Sequence, residues 1–141
     1  MPVEPYLYFN GKCEEALNYY VKTLGAERLA VMRFNESPDD NWQQMTPAEN
    51  GDKIMHSAMR VGGSMVMMSD GMCNGGSAGK FENFALTLSS LDTADTEKFF
   101  NALAAQGKIM MPLSPTFFAK KFGMVVDPYG VCWILITPED I

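Results

Sequence analysis

The residues best suited to chemistry are concentrated in one stretch, KIMHSAMRVGGSMVMMSD, at residues 53–70. It contains the chain's only histidine, His56, and five of its twelve methionines. An imidazole can bind a metal ion or transfer a proton, and thioethers bind soft ions such as Cu(I). The same residues could equally form the interior of a β-sheet, where methionine fills irregular gaps.

Strand alternation along 53–61 predicts which side chains share a face with His56. One face carries Ile54, His56, Ala58 and Arg60, and the other carries Met55, Ser57, Met59 and Val61. The second set suits packing against a helix, whereas the first suits the lining of a ligand site. His56 is then either a hydrogen-bonded structural residue or, with Arg60, a contact for an anionic or oxygen-rich ligand. It is only a weak candidate for a catalytic acid or base, because the sequence identifies no group to orient it.

The other sulfur-containing residues favour packing over chemistry. Met65, Met67 and Met68 lie in an apolar run, as expected for a buried strand, and nothing in the sequence makes their sulfurs converge on Cu(I). The three cysteines are odd in number and widely spaced, which fits neither a disulfide framework nor a CxxC zinc site. We expect reduced thiols, with Cys132 in the core and Cys73 accessible.

Charge and composition exclude several classes of partner. With a formal net charge of -6, the chain has no basic stripe to neutralise nucleic-acid phosphates or to hold an anionic membrane surface. No apolar run approaches the roughly 18 residues needed to cross a bilayer. The first residues, MPVEPYLYF, lack the features of a secretory signal, so we expect a cytoplasmic protein.

The order of predicted elements repeats once along the chain. The first half predicts a strand at 5–9, a helix at 13–25 and strands at 27–34, 53–61 and 64–70. The second half predicts a strand at 82–90, a helix at 93–107 and strands at 108–118, 121–126 and 131–137. Segment 35–52 is predicted as a surface loop and 71–79 as a flexible lid. The sequence therefore predicts an α+β protein in which a β-α-β-β-β unit occurs twice.

Apolar periodicity indicates the buried face of each helix. The predicted inward residues are Ala16, Leu17, Tyr20, Val21 and Leu24 in the first helix and Phe99, Phe100, Leu103 and Ala104 in the second.

Two βαβββ modules in one short chain resemble the vicinal oxygen chelate superfamily, which includes glyoxalase I, bleomycin-resistance proteins and extradiol dioxygenases. Three stretches are similar to its PhnB-like branch: PYLYFNGKCEEALNYYVKTLGAE, KIMHSAMRVGGSMVMMSDG and KFGMVVDPYGVCWILIT. The resemblance implies one domain over 1–141, with modules at about 1–72 and 80–141 whose curled mixed sheets surround a cup. It also implies a homodimer.

The resemblance also bears on metal binding. Metal-dependent members of the superfamily take His and Glu ligands from the first and last strands of each module. The corresponding positions here are Pro5, Met68, Asn83 and Ile134, and their immediate neighbours supply no histidine. The usual metal site is therefore expected to be absent, and no cofactor is predicted.

The predicted function is the binding of a small molecule in the cup without a metal ion, by analogy with bleomycin-resistance proteins. The predicted ligand-binding residues are His56, Arg60, Tyr6, Tyr8, Met68, Phe84 and Trp133. The alternative is a metal-dependent lyase, isomerase or dioxygenase with a divergent site built from His56, Glu82 or Asp70. A methyltransferase role, also attached to relatives, finds no motif for the methyl donor.

Overall fold

Each half of the chain forms a four-stranded mixed sheet with one helix packed on it. The computed structural model describes residues 1–37, 51–71 and 80–140. Contacts divide the chain into two units, Met1–Gly79 and Lys80–Ile141. Among the described residues, no helix has the length and apolar character needed to cross a membrane.

The first unit contains β1 (Tyr6–Tyr8), α1 (Cys13–Leu24), β2 (Glu27–Arg33), β3 (Ile54–Val61) and β4 (Ser64–Ser69). Its sheet has the order β1-β4-β3-β2, with β1 parallel to β4 and the other neighbours antiparallel. A short 3-10 turn, Phe34–Glu36, follows β2.

The second unit repeats this plan with β5 (Leu86–Ser89), α2 (Thr93–Ala104), β6 (Lys108–Ser114), β7 (Ala119–Val126) and β8 (Cys132–Pro138). Its strand order, β5-β8-β7-β6, and its parallel β5–β8 pair match the first unit. The prediction of an α+β fold with two βαβββ modules is confirmed.

Several predicted boundaries are wrong, for local reasons. The strand predicted at 82–90 is only Leu86–Ser89, because Asn83 takes a left-handed conformation (φ 63°) that interrupts an extended chain. The strand predicted at 108–118 ends at Ser114, just before a proline that would remove a ladder hydrogen bond. Most of the predicted surface loop, the predicted lid and Cys73 lie outside the described residues.

The inward faces of the helices were predicted with two kinds of error. In α1 the predicted Val21 is 37% exposed, whereas Cys13 and Tyr19, which were not predicted to face inward, are buried, so the buried stripe is shifted around the helix. In α2 the buried set is Thr96, Phe100 and Leu103, whereas Phe99 is only half-buried. A threonine lies in this core because its hydroxyl pairs with that of Thr137 on β8, at 2.7 Å.

The predicted helix-packed face of β3 is confirmed. Ser57 is buried, and its hydroxyl donates to the Met68 carbonyl oxygen at 2.9 Å. The Cys13 thiol of α1 lies 3.6 Å from the same hydroxyl, so this polar group is satisfied between helix and sheet. Met59, two residues along, is fully buried on the same side.

A buried carboxylate, Asp70, ties together the start of α1 and the start of β3. Its Oδ1 accepts a hydrogen bond from the Cys13 backbone N–H and its Oδ2 accepts one from the Ile54 N–H, both at 2.8 Å. Lys12, at the N-cap of α1, makes no side-chain cap bond, so Asp70 supplies from a distance what a local cap would give.

We expect Asp70→Asn to lower the free energy of unfolding by about 2–3 kcal/mol, because an amide has one acceptor oxygen for two N–H donors. Urea denaturation measures the change. Asp92→Asn is the matched control: Asp92 caps α2 by accepting from the Ala94 N–H, and asparagine caps equally well. Equal stability of the two variants would contradict the role assigned to Asp70.

Burial raises the pKa of the Cys13 thiol from 9.0 to about 12, with smaller upward contributions from the Asp70 and Glu14 charges and an opposing hydrogen bond from Ser57. The folded chain therefore keeps a proton that the unfolded chain loses above pH 9. Stability should fall as pH rises from 9 to 12, by at most about 1.4 kcal/mol per pH unit.

The measurement is urea denaturation of the wild type and of Cys13→Ala across this pH range. Other groups titrate there in both proteins, so the difference between the two slopes isolates the thiol. Parallel slopes would show that the Cys13 pKa is not raised by folding.

Candidate functional site

The strongest candidate site lies on the side of the first sheet directed away from α1, which we call the far face. Strand alternation and pairing register assign to it Tyr6, Tyr8, Met32, His56, Met67 and Ser69. Leu7, Ser57 and Met68 point to the opposite, helix-packed side. Three of the predicted ligand-binding residues, Tyr6, Tyr8 and His56, thus come together.

Tyr6 and His56 form the polar centre of the far face. The Tyr6 hydroxyl lies 3.0 Å from Nδ1 of His56, and the two rings are 5.7 Å apart between centroids. Because β4 lies between β1 and β3, the tyrosine reaches across one strand to make this contact. The orienting partner that the sequence could not identify for His56 is therefore Tyr6.

The two tyrosines of β1 form a stacked pair beside this centre. Their ring centroids are 5.1 Å apart at an interplanar angle of 28°. Tyr6 remains 36% exposed and Tyr8 54% exposed, so the pair presents aromatic surface beyond what the chain buries. Aromatic surface next to a polar group is typical of sites that hold small molecules.

The Tyr6–His56 contact leaves Nε2 as the ring nitrogen that Tyr6 does not engage. Burial raises the pKa of the Tyr6 phenol, the Tyr8 charge adds to this, and a hydrogen bond with Ser69 acts in the opposite direction. The phenol consequently keeps its proton at neutral pH and can donate it to Nδ1. In that arrangement His56 can exchange a proton or a hydrogen bond with a ligand only through Nε2.

The backbone after β4 shapes the surroundings of Tyr8. Gly71 has φ 75°, and a Cβ at this position would lie 3.1 Å from Cδ1 of Tyr8. Its N–H donates to the Ser69 hydroxyl at 2.9 Å, which fixes the turn. A glycine is required here both for its conformation and for the close approach of the tyrosine ring.

Two other predicted ligand-binding residues of the first unit do not lie beside the Tyr6–His56 contact. Arg60 shares the far face but is four residues along β3 from His56, about 13 Å at the rise of a strand. Its guanidinium pairs instead with Glu27 at 3.1 Å. Met68, predicted to bind the ligand, pairs with Ser57 and is fully buried on the helix-packed side, so it does not lie on the far face. Its neighbour Met67 occupies that face.

The remaining predicted residues belong to the second unit. Trp133 is 2% exposed, and its indole N–H donates to Oδ2 of Asp127 at 2.9 Å, so it is a core residue on the α2 side of its sheet. This corrects its predicted role as a pocket wall. Phe84 is 44% exposed and forms an edge-to-face pair with Phe81.

The donor atoms on the far face do not match the ligand preferences of zinc, nickel, iron or manganese. Around His56 the described donors are the phenols of Tyr6 and Tyr8, the hydroxyl of Ser69 and the thioethers of Met32 and Met67, with no carboxylate among them. Zinc, nickel, iron and manganese favour several imidazole, carboxylate or thiolate ligands, which this set does not match. In the part of the chain that the structure describes, no three His, Cys, Asp or Glu side chains converge on one point.

A second candidate is a cavity of about 370 Å³ beside the start of α1, lined by charged residues that include Glu14, Arg33, Lys53 and Asp70. Arg33 pairs with Glu14 at 2.5 Å, and its hydrogen bond holds the pKa of that carboxyl below its usual value. Lys53 donates to a backbone carbonyl before α1, and Asp70 accepts two N–H groups. These charges already have structural partners, so the far face is the better site.

Residues 2–136 match the model of the family described as 3-demethylubiquinone-9 3-methyltransferase. The chain belongs to this family. YjdN from Escherichia coli K12 is 39% identical, in an alignment that covers 96% of this chain and 94% of YjdN.

Solved structures support the same assignment. Protein PA1353 of Pseudomonas aeruginosa is similar over 99% of both chains, with 37% identity and a TM-score of 0.83. A PhnB protein of Bacillus cereus that carries the same methyltransferase description is similar over 96% of this chain and 98% of its own, with 27% identity and a TM-score of 0.75. The predicted PhnB-like relationship is confirmed.

The fold extends to more distant proteins. A glyoxalase/bleomycin-resistance/dioxygenase domain from Frankia has a TM-score of 0.67 at 14% identity, over 99% of this chain and 98% of that one. At this identity the likeness supports the fold alone.

Sequence reasoning missed Met32, Met67 and Gly71 on or next to the far face. Met32 lies on β2, pairs directly with His56 of β3 and is 39% exposed. The available signal was the pairing of ERLAVMRF with the strand that contains His56, but the register between two strands is not readable from either one alone.

We expect Tyr6→Phe to change the environment of the His56 ring without unfolding the sheet, because the variant keeps the stacked ring and removes only the hydroxyl. His56 is the chain's only histidine, so its two ring nitrogens can be followed directly in a long-range 1H–15N NMR spectrum. Tyr8→Phe is the matched control and should leave the spectrum almost unchanged. An unaltered spectrum in Tyr6→Phe would contradict the hydrogen bond.

Proposed function

We propose that this protein binds a small organic molecule on the far face, against the Tyr6–Tyr8 stack and His56, without a resident metal ion. The observation that carries the proposal is the 3.0 Å contact between the Tyr6 hydroxyl and Nδ1 of His56, next to two partly exposed tyrosine rings. Small-molecule sites commonly combine an apolar aromatic wall with a few oriented polar groups.

The cost of leaving this surface exposed supports the proposal. Two aromatic side chains at alternate positions of a three-residue strand keep a third to a half of their surface exposed. A role confined to the core would favour burial of both rings, as Leu7 between them is buried. Contiguous exposed apolar surface in a folded protein often marks a site that binds a ligand or a partner.

The choice between binding and metal-dependent catalysis rests on the donor set. The alternative, a lyase, isomerase or dioxygenase of the glyoxalase type, needs several hard or borderline ligands around an open position. The far face offers one imidazole among phenols and thioethers. Fold similarity cannot decide between the two, because one fold hosts both kinds of protein.

The family description adds a third function, transfer of a methyl group to a demethylated ubiquinone. A flat oxygenated ring of that kind would suit the tyrosine stack as a ligand. Methyl transfer would also require a site for the methyl donor, for which the sequence contains no recognisable motif. We therefore propose binding as the function and treat methyl transfer as an outcome that the experiments can detect.

A homodimer and a cytoplasmic location complete the proposal. Strand β6 lies at the edge of its sheet and exposes Ile109, Met110 and Met111. Exposed apolar edge strands favour association with another chain, and a second copy is the partner that the superfamily resemblance suggests.

A thermal-shift screen of aromatic, phosphonate and antibiotic compounds should find ligands whose binding depends on the far face. We expect Tyr8→Ala to raise the dissociation constant of a hit about 3- to 10-fold, since one aromatic contact contributes about 0.5–1.5 kcal/mol. His56→Ala should weaken the same hits. Phe117→Ala, which removes a 97% exposed aromatic ring of the second unit, is the matched control and should not.

Two results would contradict the proposal. Hits that bind Tyr8→Ala and His56→Ala as tightly as the wild type would remove the far face from consideration. One tightly held transition-metal ion per chain, detected by elemental analysis of the purified protein, would favour the metal-dependent alternative. Incubation of each hit with S-adenosylmethionine, followed by mass spectrometry, detects methyl transfer.

A further inference from the structure

The geometry of the far face points to a narrower class of ligand: we infer that it takes an uncharged, flat conjugated ring whose hydrogen-bond acceptor is received by Nε2 of His56. The inference rests on the proposed function and specifies what that site recognises. It follows from three properties: the aromatic stack, the imidazole nitrogen that Tyr6 does not contact, and the absence of an unpaired cation beside His56 among the described residues of the first unit.

The stack selects for flatness. The Tyr6 and Tyr8 rings are nearly parallel, at 28°, and are spaced along the same strand edge. A planar ring can stack on the outer face of such a pair, whereas a saturated ring is thicker and loses the favourable quadrupole arrangement. Met32 and Met67 border the same area, and their flexible thioethers adapt to the edge of an aromatic ring.

The imidazole selects for an acceptor. We assign the hydroxyl of Tyr6 as the donor in its 3.0 Å contact with Nδ1; in that tautomer the neutral imidazole carries its own proton on Nε2. If the ring is cationic, Nε2 carries a proton as well. A ligand that approaches this nitrogen therefore meets an N–H donor and is best matched by a carbonyl or ether oxygen.

The distribution of charge argues for an uncharged ligand. Arg60, the cation of the same face, is about 13 Å along β3 from His56 and pairs with Glu27. Lys53, which precedes β3, directs its ammonium to the Gly11 carbonyl oxygen. The chain as a whole carries a net charge of -6, which repels anions. A carboxylate or phosphonate would thus lack a compensating charge beside His56.

Four small probes separate these three requirements. Acetophenone has the ring and the acceptor, ethylbenzene has the ring alone, cyclohexyl methyl ketone has the acceptor without the flat ring, and benzoate adds a charge. Each is titrated at millimolar concentration into the full chain, with the ring signals of His56 and the tyrosines followed by NMR. The single histidine makes its signals unambiguous.

We expect acetophenone to bind about 2- to 10-fold more tightly than ethylbenzene, the range given by one hydrogen bond, and to shift the Nε2 signal. Benzoate and cyclohexyl methyl ketone should bind more weakly than acetophenone. The preference for acetophenone should disappear in His56→Ala and partly return in His56→Gln, whose amide N–H restores a donor. A merely structural role for His56 would not produce this return.

The outcomes distinguish the inference from the proposed function. Equal binding of ethylbenzene and acetophenone, or an unchanged preference in His56→Ala, would overturn the acceptor and leave binding at the tyrosines intact. Tighter binding of benzoate than of acetophenone would overturn the requirement for an uncharged ligand. Tighter binding of the cyclohexyl ketone than of acetophenone would overturn the requirement for a flat ring. If neither aromatic probe perturbs Tyr6, Tyr8 or His56, the inference fails; if no screening hit depends on Tyr8 either, the proposed function fails with it.

Discussion

The candidate site depends on the buried carboxylate of Asp70, which fixes one end of the first sheet by hydrogen bonds. It accepts backbone N–H groups from Cys13 and Ile54, and its own N–H donates to the Ile54 carbonyl oxygen at 2.8 Å. A buried carboxylate is costly unless such bonds compensate for lost water, so these partners cannot be removed singly without penalty. The starts of α1 and β3 and the end of β4 are therefore fixed to one another.

This constraint reaches the far face through the residues on either side of Asp70. The Ser69 hydroxyl forms a hydrogen bond with Tyr6 and accepts one from the Gly71 N–H, while Gly71 makes room for the Tyr8 ring. His56 follows Ile54 by two residues on the same strand. The groups that would touch a ligand are thus attached to a rigid, buried framework, as sites that need defined geometry require.

Much of the fold could be predicted because its signals are local. The change from two-residue to helical periodicity, the glycine turns and the repeated element order establish two βαβββ modules. The errors occur where a single residue decides: Asn83 shortens β5 through its backbone conformation, and the wider apolar pattern of α1 does not reveal that Val21 is exposed. Such effects depend on tertiary contacts that a sequence pattern does not contain.

The site was predictable only in part, because one residue of strand register reverses a side chain's face. The structure brings three of the predicted ligand-binding residues, His56, Tyr6 and Tyr8, onto one face of the first sheet, and their role in binding stays a prediction. Met68 was predicted to bind the ligand, but its neighbour Met67 is the residue that lies on the far face, because successive residues of a strand point to opposite sides of the sheet. Trp133 was misjudged because its polar partner, Asp127, is buried and belongs to the turn that precedes β8.

The two modules, though alike in topology, differ where a ligand would bind. Leu7 of β1 pairs with a buried residue of β4, and Leu86 and Leu88 of β5 each pair with a buried residue of β8, so all three leucines face the helix-packed side of their sheet. The residues that flank Leu7 are Tyr6 and Tyr8; those that flank Leu86 and Leu88 are Ala85, Thr87 and Ser89. In both modules a leucine faces the helix-packed side, whereas only the first module has aromatic rings at the flanking positions. A requirement for folding would act on both modules alike, so the tyrosines of β1 are better explained by recognition than by stability.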